Sequence, residues 1–140
     1  MNLFKIEGLY IKSNSKSYYK VVKERSDVLT SCRYGTLQYK IGEWTKAPEG
    51  TKLFVFDSFD AANSFAQSND TIYSCDVRGV EDGLACLYED YIETFWKAVN
   101  EQDYKMLSYL AKTNEIFSME HAKWTSEVQL LSKVVHSKIY

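Results

Sequence analysis

Pro48-Glu49-Gly50-Thr51-Lys52-Leu53-Phe54-Val55-Phe56-Asp57-Ser58-Phe59-Asp60-Ala61-Ala62-Asn63-Ser64-Phe65-Ala66 writes three structural instructions in nineteen residues. Pro48-Glu49-Gly50 is a turn. Leu53 to Phe56 is an apolar run short enough for a buried strand. Asp57 and Ser58 then supply side-chain oxygens that cap a helix, just before Phe59, Ala62, Phe65 and Ala66 recur at helical spacing. The order is turn, strand, cap, helix. Both phenylalanines of the helix fall on one side of it, where they can lie over the strand that has just ended.

Working outward, Tyr18 to Lys23 reads as a strand with Tyr19 and Val21 on one side, and Leu37, Tyr39 and Ile41 alternate with Gln38 and Lys40 as in a half-buried strand. Thr71 to Val77 adds a fourth, and an antiparallel sheet of at least four short strands follows. Glu24 to Thr36, with Ser26, Asp27, Ser31 and Gly35, reads as a loop able to carry functional side chains. Asn2 to Ile11 reads as a further strand, joined by the polar linker from Lys12 to Ser17.

Past Gly83 the period changes. Leu84, Leu87, Tyr88, Tyr91, Phe95 and Val99, with Ile92 and Trp96 at the stripe's edge, predict a helix over 84–99, with Glu93 and Lys97 as a surface pair four residues apart. Asp103 caps a shorter helix with Tyr104, Leu107 and Leu110 inward, so the two make a hairpin turning at Asn100 to Gln102. The stripe is wider than a four-stranded sheet covers. Its surplus belongs under the second helix or against a second copy of the chain in a two-fold dimer. Val128, Leu131 and Val135 fit a helix, while Val128, Leu130 and the valine pair fit a strand. The fold class is therefore α+β: one domain over 1–140, a small antiparallel sheet with a short crossing helix and a helical hairpin in the C-terminal half, with an arm at 1–17 and a helical insertion at 84–111.

The order Tyr19-Lys20-Val21-Val22, Gly42-Glu43-Trp44-Thr45, Ala47-Pro48-Glu49-Gly50-Thr51, Leu53-Phe54-Val55-Phe56-Asp57-Ser58 and Ala61-Ala62 resembles a family of small uncharacterised proteins carried by phages and prophages. The resemblance covers residues 18–79 well and the C-terminal segment loosely. It implies a strand after the short helix and a closing valine- and leucine-rich strand at 128–135. Its motifs are structural, so it carries over no catalytic or binding residue, and the arm and the helical insertion depart from its pattern.

Composition bounds the class. A chain of 140 residues is the size of one domain and buries roughly two thirds of its unfolded surface. At 45% apolar and 15% aromatic residues it can build a core. No apolar run approaches the roughly 18 residues of a membrane helix, and charges break Met1 to Glu7 too early for a signal peptide. The expectation is a soluble protein of the host cytoplasm. Cys32, Cys75 and Cys86 lack metal-ligand spacing and read as small buried hydrophobes.

Charge is unevenly placed. Residues 1–52 carry ten Lys and Arg against five Asp and Glu, whereas residues 53–140 carry seven against fourteen. Asp76, Glu81, Asp82, Glu89, Asp90 and Glu93 concentrate the negative charge, relieved locally only by Arg78. Five of them, Glu81, Asp82, Glu89, Asp90 and Glu93, form a candidate face for a basic partner. The basic residues show no dense run and no nucleic-acid module, so nucleic acid is not the expected partner.

The search for chemistry is mostly negative. The six glycines form no phosphate loop, and the two histidines, His121 and His136, lie in no metal-ligand pattern. Cys75 with His121 is the one nucleophile pair to weigh against Glu120 to Trp124 being a surface turn. An ADP-ribosyltransferase-like site would use Arg33 and Glu81, without the usual acidic spacing. A nucleotide site would stack a base on Trp44 or Tyr34 with Arg33 or Arg78 on its phosphates. The leading expectation is a non-enzymatic phage-type binding protein that blocks a host defence factor, such as a CRISPR-Cas component, through an acidic helical surface, with neither cofactor nor metal. Nucleotide binding through Arg33, Trp44 and Arg78 is the alternative.

Overall fold

The computed structural model describes residues 3–6, 9–12, 17–32, 37–86, 91–113, 116–117 and 121–135. The strands are β1 (Leu3–Ile6), β2 (Leu9–Lys12), β3 (Tyr18–Arg25), β4 (Val28–Ser31), β5 (Gln38–Tyr39), β6 (Trp44–Lys46), β7 (Leu53–Phe56), β8 (Asp70–Arg78), β9 (Glu81–Asp82), β10 (Ala85–Cys86), β11 (Ile116–Phe117), β12 (Ala122–Thr125) and β13 (Glu127–Val135). The helices are α1 (Phe59–Phe65), α2 (Ile92–Asn100) and α3 (Tyr104–Lys112). The class is α+β, dominated by antiparallel strands.

The main sheet pairs in the order β6-β13-β8-β3-β7-β12-β9, with β4 on β3 and β5 on β4. Separate two-stranded ladders join β1 to β2 and β10 to β11. Its ends meet, because Ser126 alone separates β12 from β13 and only Gly79 and Val80 separate β8 from β9. Those two bent strands run as one ladder, from Cys75 opposite Leu130 to Asp82 opposite Lys123, in a single register. The sheet therefore curls back on itself.

Curling gives it two cores. One side gathers Val22, Leu29, Tyr39, Leu53, Val55, Tyr73, Cys75, Val128 and Leu130. The other packs Val21, Phe54, Phe56, Ile72 and Ala122 against Phe65 of α1, Phe95 and Trp96 of α2 and Leu110 of α3. All four residues of β7 are buried, and period-two alternation sends Leu53 and Val55 to one core and Phe54 and Phe56 to the other. Only Tyr19 opposite Phe56 links β3 to β7 in the ladder. Buried Lys20 adds to that seam by donating from Nζ to the Phe54 carbonyl at 2.8 Å. Its ammonium also lies 5.7 Å from the Tyr39 ring centroid, within cation–π range.

The opening segment folds as read. Gly50 takes φ +77°, a left-handed conformation that glycine tolerates, and Thr51 closes the turn with N–H and hydroxyl bonds to the Pro48 carbonyl. Ser58 caps α1 by accepting from the Ala61 N–H at 3.3 Å. Phe65 is buried with its ring 5.0 Å from Phe56.

Elsewhere the structure corrects the sequence reading. The expected loop at 24–36 contains β4, because Ser26 and Asp27 both adopt positive φ and form a tight two-residue hairpin. Residues 127–135 form the strand that the resemblance implies. The helix expected from Leu84 begins at Ile92, since the chain stays extended through β9 and β10, and Leu87 and Tyr88 lie outside the described residues. Ile92 and Trp96, expected at the stripe's edge, are in the core. Tyr91 of the same stripe is 38% exposed. Tyr104, expected inward, is 69% exposed. No helix among the described residues is long and apolar enough to cross a membrane.

Phe65→Ala removes the main side chain that seats α1 on β7. It is expected to cost about 3–5 kcal/mol in urea unfolding; a variant with near-native stability would show that α1 does not depend on this contact.

Candidate functional site

Three of the five acidic residues of the expected partner face are described, and all three are exposed. Glu81 and Asp82 form β9, whose only described partner strand is β12, and Glu93 lies in the first turn of α2. Glu89 and Asp90 lie outside the described residues. Asp82 is 93% exposed yet accepts from Lys123 Nζ at 2.6 Å. That hydrogen bond, strengthened by the charges of Asp82 and Asp57 against the cost of burial, raises the Lys123 pKa above its ordinary value. Among the described residues, neither Glu81 nor Glu93 is engaged by an ion pair, so the expected Glu93–Lys97 pair is open.

Behind Glu81 lies a cleft of about 310 Å³, lined by Thr51, Lys52, Glu81, Trp96, Asn100 and Trp124 among others. Its walls are built from the fold's strongest local constraints. Trp96 stacks on Phe54 with centroids 5.7 Å apart and meets Phe95 edge-on at 4.9 Å. Trp124 donates from its indole N–H to the Leu84 carbonyl at 2.6 Å. A Cβ on Gly83 would collide with that indole, so the bare backbone here lets chain and ring touch. The two indoles meet at 52° with centroids 5.3 Å apart, an open corner rather than a stack. Asn100 donates to the Gly50 carbonyl at 2.8 Å, tying α2 to the turn before β7. The N–H of buried Trp96 has no acceptor among the described residues.

Glu93 belongs to the same side of α2 as Trp96 and Asn100, which follow it by three and seven residues. At the cleft itself the charged lining is Glu81 of β9 with Lys52 across from it. Sequence reasoning singled out Glu81 and Glu93 but took 120–124 for a surface turn and missed Trp124. Lys123 and Trp124 are instead half-buried in a strand, with Trp124 opposite Phe54. The available signal was the alternation of Ala122, Trp124 and Ser126 with Lys123 and Thr125, which is too weak without knowledge of a neighbouring strand.

Trp44 and Arg78 do come together. The guanidinium lies 3.8 Å from the Trp44 ring centroid and 3.5 Å from Glu127, so a nucleotide base would have to displace it from the indole face. Arg33 and Tyr34 lie outside the described residues. Cys75 and His121 do not pair: the sheet runs from Cys75 through Tyr18, Tyr19 and Phe56 to Ala122, roughly 14 Å at normal strand spacing. His121 is bound through Nδ1 to Asp57 at 2.7 Å. Burial pushes the Cys75 thiol up to about 12, opposite to what a nucleophilic cysteine needs. Among the described residues no three His, Cys, Asp or Glu side chains gather as a metal site. Comparison with protein-family models, curated proteins and solved structures finds no match to this chain.

Two measurements check this geometry. Because the native thiol stays protonated, iodoacetamide at about pH 8 should leave Cys75 unmodified until the chain is unfolded; rapid native labelling would contradict its burial. The raised pKa also disfavours the thiolate in the fold, so this group's contribution to stability is full below the ordinary thiol pKa and declines as pH rises from there toward about 12. Gly83→Ala should displace Trp124, lowering stability by about 1–3 kcal/mol and altering tryptophan fluorescence; a variant unchanged in both would contradict the contact.

Proposed function

We propose that this chain is a non-enzymatic binding protein that engages a basic surface on another protein through Glu81, Asp82 and Glu93. The observation that carries the reading is the placement of these carboxylates. All three are exposed, and one of them, Glu81, unpaired among the described residues, lines an aromatic cleft. Complementary charge of this kind accelerates encounter and selects partners, while a desolvated aromatic centre supplies the lasting contact.

The phage resemblance gives the partner its class: a host factor of the defence type, such as a CRISPR-Cas component, met in the host cytoplasm. Glu89 and Asp90 extend the same negative segment in sequence. The pair of helices α2 and α3, read as a hairpin, backs this surface.

The test is capture of a partner by the tagged chain, followed by affinity measurement with Glu81→Lys, Asp82→Asn and Glu93→Lys combined, the asparagine keeping an acceptor for Lys123. The captured protein should be basic at its contact. The triple variant should bind it at least about tenfold more weakly at low salt, chiefly through slower association, while melting within about 2 °C of the parent. Unchanged affinity with the fold intact would remove the proposal.

A further inference from the structure

We infer that the Trp96–Trp124 cleft receives the cationic head of one arginine or lysine side chain of the partner. The inference rests on the reading of the acidic face as the partner surface and makes it specific.

A space of about 310 Å³ stands at the small end of ligand sites and suits one long side chain rather than a cofactor. Two indole rings line it, Trp124 half-buried and Trp96 buried against Phe54, and indole is the ring that attracts a cation most strongly. Neither ring needs to reorganise: one is fixed by Phe54 and Phe95, the other by the Leu84 carbonyl and Gly83. Such preorganisation spares the binding step the cost of ordering these side chains.

One polar group of the lining favours a cation: Glu81 presents a carboxylate unengaged among the described residues, while Asn100 donates an amide N–H to the Gly50 carbonyl. Lys52 supplies the opposing charge, but its Nζ is directed to Ser126 Oγ at 3.4 Å. An anionic ligand would meet the Glu81 carboxylate, whereas a guanidinium or ammonium meets that carboxylate and the aromatic lining.

The test uses the indole N–H signals of the ¹⁵N-labelled chain, whose third tryptophan, Trp44, is an internal control already covered by Arg78. The probe is N-acetyl-arginine amide, with N-acetyl-citrulline amide as its uncharged isostere. The arginine probe should shift the Trp96 and Trp124 signals saturably, leave Trp44 in place and bind about three- to tenfold more weakly to Glu81→Gln. The citrulline probe should leave all three unmoved. Absence of shifts with the arginine probe, or equal shifts with both probes, would overturn the inference. A hexa-arginine peptide separates this failure from failure of the acidic-face reading. If it binds the parent, loses affinity when Asp82→Asn and Glu93→Lys are combined, and leaves Trp96 and Trp124 unmoved, the cleft is refuted while the face stands. If the arginine probe binds but the triple variant leaves the captured partner's affinity unchanged, the face is refuted while the cleft remains a cation site.

Discussion

Everything in this fold leans on a four-residue strand with no solvent-facing side. Leu53, Phe54, Val55 and Phe56 are all buried, and alternation divides them between the strand-built core and the helix-covered core. A strand buried on both faces exposes no polar side, so its register is fixed twice over: a one-residue slip would exchange both cores at once. The Lys20–Phe54 bond adds a polar anchor at the seam where β3 and β7 share a single ladder pair. A buried ammonium without an acceptor would be costly, so the Phe54 carbonyl and the Tyr39 ring are part of what makes Lys20 tolerable there.

The candidate site inherits its geometry from the same strand. Phe54 is the floor on which Trp96 stacks, and pairing of β7 with β12 sets Trp124 opposite Phe54. The unbroken ladder between the bent strands then brings Glu81 opposite Trp124, carrying the carboxylate to the indoles. Core and cleft are therefore consecutive layers of one arrangement. Substitutions at Phe54 would disturb both, whereas Glu81 and Glu93 can change with little effect on the fold because water already solvates them.

What the sequence made legible were features whose signals are local. The Pro48–Ala66 segment combines turn, apolar run, cap and helical spacing, each readable within a few residues, and it folds as it reads. Features set by distant pairing were hidden. Leu84 and Leu87 continue the helical period of Ile92 and Phe95, yet Gly83 on Trp124 and Asp82 on Lys123 hold the preceding chain extended. Residues 122–125 carry no run that marks a central strand, and they become one because β7 and β9 flank them. The acidic half of the site was visible as charge, but its aromatic half required Trp96 and Trp124, 28 positions apart in the sequence, to be seen as neighbours. Chemistry stayed equally non-local: Cys75 and His121 look like partners in a list of residues and part once strand order is known.

Native-state hydrogen exchange resolved to single amides tests most directly the claim that β7 unites the two cores and carries the cleft. The β7 amides that bond to β12 should exchange only through global unfolding, with an opening free energy equal to the stability of the whole chain and matching that of the central β8–β13 ladder. Exchange of these amides through a smaller, local opening, while β8 and β13 remain protected, would contradict the account.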